Sequence, residues 1–215
     1  METSKNVFEM VYANPGAVWT GTNPPEELVK IIESGKVKPC KVIDIGCGEG
    51  FYSIYLASKG FTVTGIDISE KAIKYAKQNS RKQGLDIKFI AMGITDLDRL
   101  NESFDFVLEW ALMHHIIPSH RERYVKNVSR ILNPGGKYLS VCFNIQSPDF
   151  GQPGKSIRIV PSASKALSGE KVYFSSLEEL NGLFSSCFRI IESRVIRWEV
   201  GKPHIGNYFL MEKNP

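Results

Sequence analysis

Five apolar runs alternate with helical patterns over the first two thirds of the chain, and few architectures accommodate that rhythm. Lys41–Gly46, Phe61–Asp67, Ile87–Met92, Phe104–Glu109 and Lys137–Phe143 are short and almost continuously apolar, the pattern of strands buried on both faces. Between and before them, Pro24–Ser34, Gly50–Lys59, Ser69–Gln83 and Pro118–Leu132 read as helices. Ser69 is placed to cap a helix start, Gly60 and Gly84 to end helices. Pro24-Pro-Glu-Glu27 sets acids at the positive end of the first helix. Strands joined through helices form a parallel sheet covered on both faces.

The tail changes rhythm. Ser176-Leu-Glu-Glu179 is a capping box that opens a helix to about Ser186. The runs Phe188–Glu199 and His204–Lys213 follow, separated only by Val-Gly-Lys-Pro. So short a link joins antiparallel neighbours, because a parallel pair needs a long crossover. The expected fold is one α/β domain over residues 1–215. Its core is a seven-stranded, doubly wound, mostly parallel sheet with an antiparallel C-terminal hairpin and helices on both faces. Two segments fall outside this plan: an N-terminal arm, residues 1–23, and a loop-like stretch rich in Ser, Gly and Pro, residues 145–172. The second reads as a substrate-side insertion.

Composition narrows the function. At 42% hydrophobic residues the 215-residue chain has enough apolar material to offset the entropy of folding, which excludes intrinsic disorder. No run of about 18 apolar residues is present, so no transmembrane helix is expected. The charge of +4, from 27 basic and 23 acidic residues, is dispersed and demands no nucleic-acid partner. Cys40, Cys47, Cys142 and Cys187 form no C-x-x-C pair, so neither a disulfide framework nor a metal site is expected. The polar N-terminus has no apolar segment after it, and the reading is a cytoplasmic protein with reduced thiols.

The strongest chemical signal is Asp44-Ile-Gly-Cys-Gly-Glu-Gly50, at the end of the first strand and entering a helix. Glycines there let the chain turn sharply and a ligand lie against the backbone, at the carboxyl edge of the sheet. A dinucleotide site would require G-x-G-x-x-G, but its third glycine is replaced here by Phe51. Asp44 is also a poor neighbour for a pyrophosphate. Both departures favour a ligand with a cationic amine. Asp67, ending the second strand in Gly65-Ile-Asp-Ile-Ser69, is suited to accept hydrogen bonds from the two hydroxyls of a ribose.

These residues resemble the class I S-adenosylmethionine-dependent methyltransferases, and the resemblance covers nearly the whole chain. Residues 42–50 (VIDIGCGEG), 65–69 (GIDIS) and 103–109 (SFDFVLE) are similar to three of the family's motifs. Residues 131–140 (ILNPGGKYLS) are similar to the turn before its fifth strand. The resemblance implies S-adenosylmethionine as cofactor and S-adenosylhomocysteine as product. Gly46, Cys47, Gly48 and Gly50 would line the methionine part, Asp44 would lie near its ammonium, and Asp67, with Ile68 beside it, would hold the ribose. At the third strand the chain departs from the family, because Gly93 occupies the usual acid position. Asp96 would do that work from further on, or Ile94 would supply a backbone contact, or Asp96 would only cap a short helix.

Methyl transfer from a sulfonium depends mostly on aligning the acceptor lone pair behind the methyl carbon. A thiol, with a free pKa of about 8.5, needs little help, whereas a hydroxyl needs a placed base. Candidate bases lie in Glu109-Trp-Ala-Leu-Met-His-His115. Glu109 would orient or deprotonate the acceptor, or bind a cationic substrate, or else make only a solvent-side hydrogen bond. His114 is the other candidate, against a purely structural role. Residues 17–29 and 118–124 further resemble the thiopurine, tellurite and thiol/halide methyltransferase-like branch. In that branch Trp19 would cover the cofactor; otherwise it packs on the sheet edge. The expected activity is methylation of a small molecule, at a thiol or another soft nucleophile. Alternatives are an RNA or protein methyltransferase on the same fold, or a non-catalytic cofactor-binding partner subunit.

Overall fold

The structure, a computed structural model, describes residues 5–17, 19–200 and 202–215. Residues 1–4 and 18 of the expected N-terminal arm lie outside the described residues. The strands are β1 (Lys41–Ile45), β2 (Thr62–Asp67), β3 (Lys88–Ala91), β4 (Phe104–Trp110), β5 (Leu132–Phe143), β6 (Ile157–Ile159), β7 (Lys171–Tyr173), β8 (Phe188–Val200) and β9 (Lys202–Lys213). The helices are α1 (Lys5–Val11), α2 (Glu26–Glu33), α3 (Phe51–Ser58), α4 (Glu70–Lys82), α5 (Pro118–Ile131) and α6 (Leu177–Ser185). Ser69 caps α4 by accepting from the Ala72 amide at 3.1 Å, and Ser176 caps α6 through the Glu179 amide at 3.0 Å. Both caps sit where the sequence placed them.

Seven strands form one sheet in the order β3-β2-β1-β4-β5-β9-β8. Neighbours are parallel from β3 to β5, and β9 is antiparallel to both β5 and β8. The order reverses between β1 and β4, which opens a crevice at the carboxyl ends of the strands. Because side chains alternate along a strand, each strand feeds two cores. Ile43, Ile45 and Val107 pack with Val125 and Val128 of α5 and Phe184 of α6. Val42, Phe106 and Leu108 pack on the other face with Leu28 of α2, Leu56 of α3 and Ile73 of α4. This alternation later decides which acids reach the crevice.

Two expectations need correction. β5 begins at Leu132 rather than Lys137, directly after α5, and the Asn-Pro-Gly-Gly turn becomes an irregularity in its pairing with β4. Residues 145–172 are not loop throughout. Ile157–Ile159 pairs antiparallel with Lys171–Tyr173, and a 3-10 turn spans Ser162–Leu167. This segment has its own small core, Val160, Leu167, Val172 and Phe174, completed by Phe143 of β5 and Val7 of α1. Such short strands have little stability alone, and packing against the sheet and the arm supplies the missing burial. The two segments outside the sheet plan therefore meet each other.

Candidate active site

A cavity of about 820 Å³ opens at the carboxyl ends of β1, β4 and β5. One end is floored by the loop after β1. Gly46 and Gly48 have φ of 77° and 53°, a backbone region that glycine adopts without strain. A side chain on Gly48 would also press within 2.8 Å of the Tyr12 hydroxyl, and one on Gly46 within 3.3 Å of Leu112. The amides of Gly46 and Cys47 bond the Ile66 carbonyl at 2.8 and 2.9 Å, which ties the loop to the end of β2. Gly50 is a correction. It does not line the cavity but packs helix against strand, since a Cβ there would lie 2.9 Å from both Ala76 and Phe89.

Two buried acids line this end. Asp44 accepts from Ser53 Oγ at 2.6 Å. Burial, together with the nearby Asp67, pushes its carboxyl up to about 7 against the pull of the Ser53 bonds. Asp67 accepts the Gly48 amide on one oxygen at 3.0 Å and the Ser69 amide on the other at 2.9 Å. Burial lifts it to about 6, with those amides pulling it back. Each oxygen keeps a second lone pair for a ligand donor. Cys47, Ile68, Met92 and Ile94 complete an apolar lining beside them. Two acids in an apolar, glycine-floored cavity suit a cationic ligand that carries a diol, and so fit S-adenosylmethionine.

The N-terminal arm closes over this floor through a residue the sequence reading passed over. Glu49 Oε1 accepts the amides of Gly16 and Ala17 at 2.7 and 3.1 Å and the Thr20 hydroxyl at 3.1 Å. Its place inside the glycine motif was the signal that could have revealed it. Trp19 lines the cavity, its indole N–H donating to the Tyr12 hydroxyl at 2.9 Å. Asp96 does not reach the cavity; it lies in the 3-10 turn Ile94–Arg99 and pairs with Arg99 at 3.0 Å. Ile94, two residues earlier, lines the cavity instead.

Glu109 is the larger correction. It lies on the Val107 side of β4, under α5 and α6, with no exposure, and is absent from the cavity lining. Oε1 accepts the amides of Leu112 and Met113 at 3.0 and 2.9 Å. Oε2 accepts Tyr138 at 3.0 Å and Ser140 at 2.6 Å. Burial pushes this carboxyl up while the four donors pull it down. Neither a base facing the acceptor nor a solvent-side hydrogen bond describes it; it braces the turn that carries Leu112 over Gly46.

His114 does line the cavity, stacked on Phe143 with centroids 4.1 Å apart. Burial, with the neighbouring His115, holds its pKa well below the usual imidazole value, and burial takes His115 down to about 4. A ring so reluctant to take a proton is a poor base. The far end of the cavity contains residues the sequence reading missed: Asp149, Phe150, Trp198, Lys202 and His204. They come from the insertion and from the C-terminal hairpin, with no common motif to announce them. Among the described residues no cluster of three His, Cys, Asp or Glu could hold a metal, and no helix is long and apolar enough to cross a membrane.

Residues 42–136 match the family model described as "Methyltransferase domain". The chain is 32% identical over 138 residues to the 2-heptyl-1-hydroxyquinolin-4(1H)-one methyltransferase of Mycobacteroides abscessus, covering 63% of this chain and 60% of that protein. It is 34% identical over 120 residues to a ubiquinone biosynthesis O-methyltransferase of Coxiella burnetii, covering 56% of this chain and 50% of the relative. The matches thus span only about half to three fifths of these relatives. Among solved structures, an S-adenosylmethionine-dependent methyltransferase of Methanosarcina mazei superimposes with a TM-score of 0.72 at 26% identity, covering 87% of this chain and 97% of that one. Fold, glycine loop and relatives agree: residues 42–136 match a methyltransferase domain, and the chain is similar to S-adenosylmethionine-dependent methyltransferases.

Proposed function

We propose that this protein transfers a methyl group from S-adenosylmethionine to a small-molecule acceptor. The observation that carries the reading is the joining of two unlike ends in one cavity. The acidic, glycine-floored end suits a cationic cofactor, and the aromatic far end, with Asp149, Lys202 and His204 beside the rings, suits an acceptor. In this reading Asp67 holds the ribose hydroxyls, Asp44 faces the ammonium, and Ile68, Met92 and Ile94 contact the adenine. The bound cofactor supplies an electrophilic methyl on a sulfonium. The chain's part is to align the acceptor and exclude water, and aromatic faces such as Trp19 favour the positive sulfur.

A small acceptor is favoured because the arm and the insertion meet beside the sheet and bound a cavity of about 820 Å³. The two sequence relatives, a hydroxyquinolone methyltransferase and a ubiquinone biosynthesis O-methyltransferase, point the same way. Calorimetry with S-adenosylmethionine and S-adenosylhomocysteine tests the cofactor half; no heat from either, with folded protein, overturns it. Asp67→Ala is expected to weaken cofactor binding by more than about tenfold, the effect of losing a charged hydrogen-bond partner. A panel of thiol, hydroxyl, amine and halide acceptors, scored by methylated product, tests the other half and separates a soft acceptor from a hard one.

A further inference from the structure

The rings at the far end of the cavity come in order from neighbouring strands. Trp110 ends β4, Phe143 ends β5, His204 lies near the start of β9 and Trp198 near the end of β8. These four strands are adjacent in the sheet, so the rings form a row along its carboxyl edge, three strand spacings or roughly 14 Å long. Trp110 is the member next to β1 and its glycine loop, and all four line the cavity. The row has two orientations. Trp198 is tilted only 13° from Phe143 with centroids 5.8 Å apart, and His204 lies 27° from each of them, at 5.2 and 5.5 Å. Trp110 instead stands at 80° to Trp198, 5.9 Å away, and Phe150 of the insertion at 75° to Phe143, 6.4 Å away.

The backbone is shaped to keep these rings in place. Gly206 pairs with Phe143 across β5 and β9, and a Cβ on it would lie 2.3 Å from Cζ3 of Trp198. Glycine there makes room for the indole beside Phe143. Ala111, directly after Trp110, and Phe150 have φ of 61° and 56°, a region that residues with side chains seldom occupy. Such conformations persist where the surroundings over-determine them, and they cluster at ligand sites. Around Phe150 the surroundings are set by Arg158, buried in the insertion, which donates to the carbonyls of Ile145, Ser147 and Asp149 at 2.6, 2.5 and 2.6 Å. Its guanidinium lies over the Phe174 ring, 3.8 Å from the centroid. The same coil turns the Asp149 side chain inward, 1% exposed, to His204 Nδ1 at 2.9 Å, Lys202 Nζ at 2.6 Å and the Ser147 hydroxyl at 2.7 Å. Lys202 thus meets the Asp149 charge within the protein, and the rings are left to define what this end accepts.

We propose that the far end is a stacking site for a planar aromatic acceptor, with Trp198 and Phe150 as its specificity-determining residues. The inference rests on the methyltransferase reading above and adds the class of the acceptor to it. An aromatic ring is negative on its faces and positive at its edge, so ring pairs prefer offset-parallel or edge-to-face contact. A flat acceptor lying parallel to Trp198 and Phe143 stacks offset on that wall and meets Trp110 and Phe150 at near right angles. Both preferences are then satisfied together. A saturated ring of the same size has neither a π-face nor a polarised edge, and gains only from the area it buries. Trp110 and Phe143 are buried, whereas Trp198 and Phe150 are partly exposed and are the rings an incoming ligand can cover. The row ends at Trp110, beside the glycine loop, so a ring seated along it presents one edge to the cofactor end.

The test compares 2-naphthol with decahydro-2-naphthol, which has the same carbon skeleton and hydroxyl without the aromaticity. Both are titrated by calorimetry into the full chain saturated with S-adenosylhomocysteine, so that the cofactor end is already filled. Wild type is expected to bind 2-naphthol at least about fivefold more tightly than the saturated probe. Trp198→Leu should remove most of that advantage while changing the affinity for decahydro-2-naphthol and for S-adenosylhomocysteine by less than about twofold, and Trp198→Phe should restore it. A Trp198 that only packs the fold would on removal weaken both probes alike. The inference is overturned if 2-naphthol fails to bind, if its advantage falls short of that margin, or if Trp198→Leu leaves the advantage intact or weakens both probes equally. Should Trp198→Leu fail to fold, Phe150→Leu takes its place, with the same selective loss expected. A failure of S-adenosylhomocysteine itself to bind overturns the cofactor reading and this inference together, whereas cofactor binding without the aromatic preference overturns this inference alone.

Discussion

The two ends of the cavity are built in opposite ways. The cofactor end comes from consecutive pieces of chain: β1, the glycine loop, α3, and the acid that ends β2. The far end, the proposed acceptor end, gathers Asp149, Trp198, Lys202 and His204 from a loop and a hairpin some 50 residues apart. At the first end the backbone itself does the work, through tight turns and amides that hold Asp67. At the second end side chains dominate, aligned by Arg158 and by ring stacking. A local, backbone-built site suits a ligand that stays the same, while one built from insertion side chains can change its acceptor without disturbing the sheet. On the proposed function, the contrast separates a cofactor floor fixed together with the fold from an acceptor end that varies independently of it.

The sharpest way to break this contrast is from the middle, where Glu109 braces the turn that both ends share. Glu109→Ala leaves two amides and two hydroxyls without their acceptor and opens a buried hole. The expected cost is roughly 3–5 kcal/mol, read from denaturant unfolding. A loss of turnover with stability intact would instead return Glu109 to the chemistry.

A second prediction concerns the cofactor end alone. The Asp44 carboxyl, raised to about 7 by burial, binds a proton in the folded protein at pH values where the unfolded chain has lost it. Unliganded stability from this group therefore falls as pH rises from about 4 to about 7. A cationic ligand reverses the preference, because it needs the ionised acid. Cofactor affinity should then weaken below about pH 7, by up to about tenfold per pH unit, with proton release on binding. Calorimetry in buffers of different ionisation heat reads both effects. Asp44→Asn should flatten the profile and stabilise the unliganded protein above pH 7; a flat profile in wild type would detach Asp44 from the ligand.

The smallest expected effect sharpens the boundary of the site. Asp96 is partly exposed and paired with Arg99 on the same turn, an ion pair worth little in water. Asp96→Ala should change cofactor affinity by less than about twofold. A larger loss, measured in the same calorimeter, would bring the third-strand acid back into the adenine contact.

How much was legible beforehand follows from the same contrast. The alternating runs, the caps at Ser69 and Ser176 and the antiparallel ending are local patterns, and all appear in the fold. Asp44, Gly46, Gly48 and Asp67 were legible as a group because one short turn and the next strand end carry them. Gly50 was misread because spacing does not distinguish a glycine facing a ligand from one that a helix packs against. Glu109 was misread because its position at a strand end says nothing about which face it takes. The parity of β4, with Phe106 and Leu108 on one core and Val107 on the other, turns it away from the crevice. Asp149 and His204 were invisible, since 55 residues separate them and each alone is an ordinary residue.

By itself, then, the sequence determined the sheet, its winding and the cofactor floor. These depend on side-chain period, capping and glycine turns, which act over a few residues. Only the tertiary structure decided which acids are braces and which are site residues, how the arm latches onto Glu49, and that a histidine of the last strand meets an aspartate of the insertion. Those outcomes depend on burial and on pairing across distant segments. Their energies exist only once the sheet has brought the partners together.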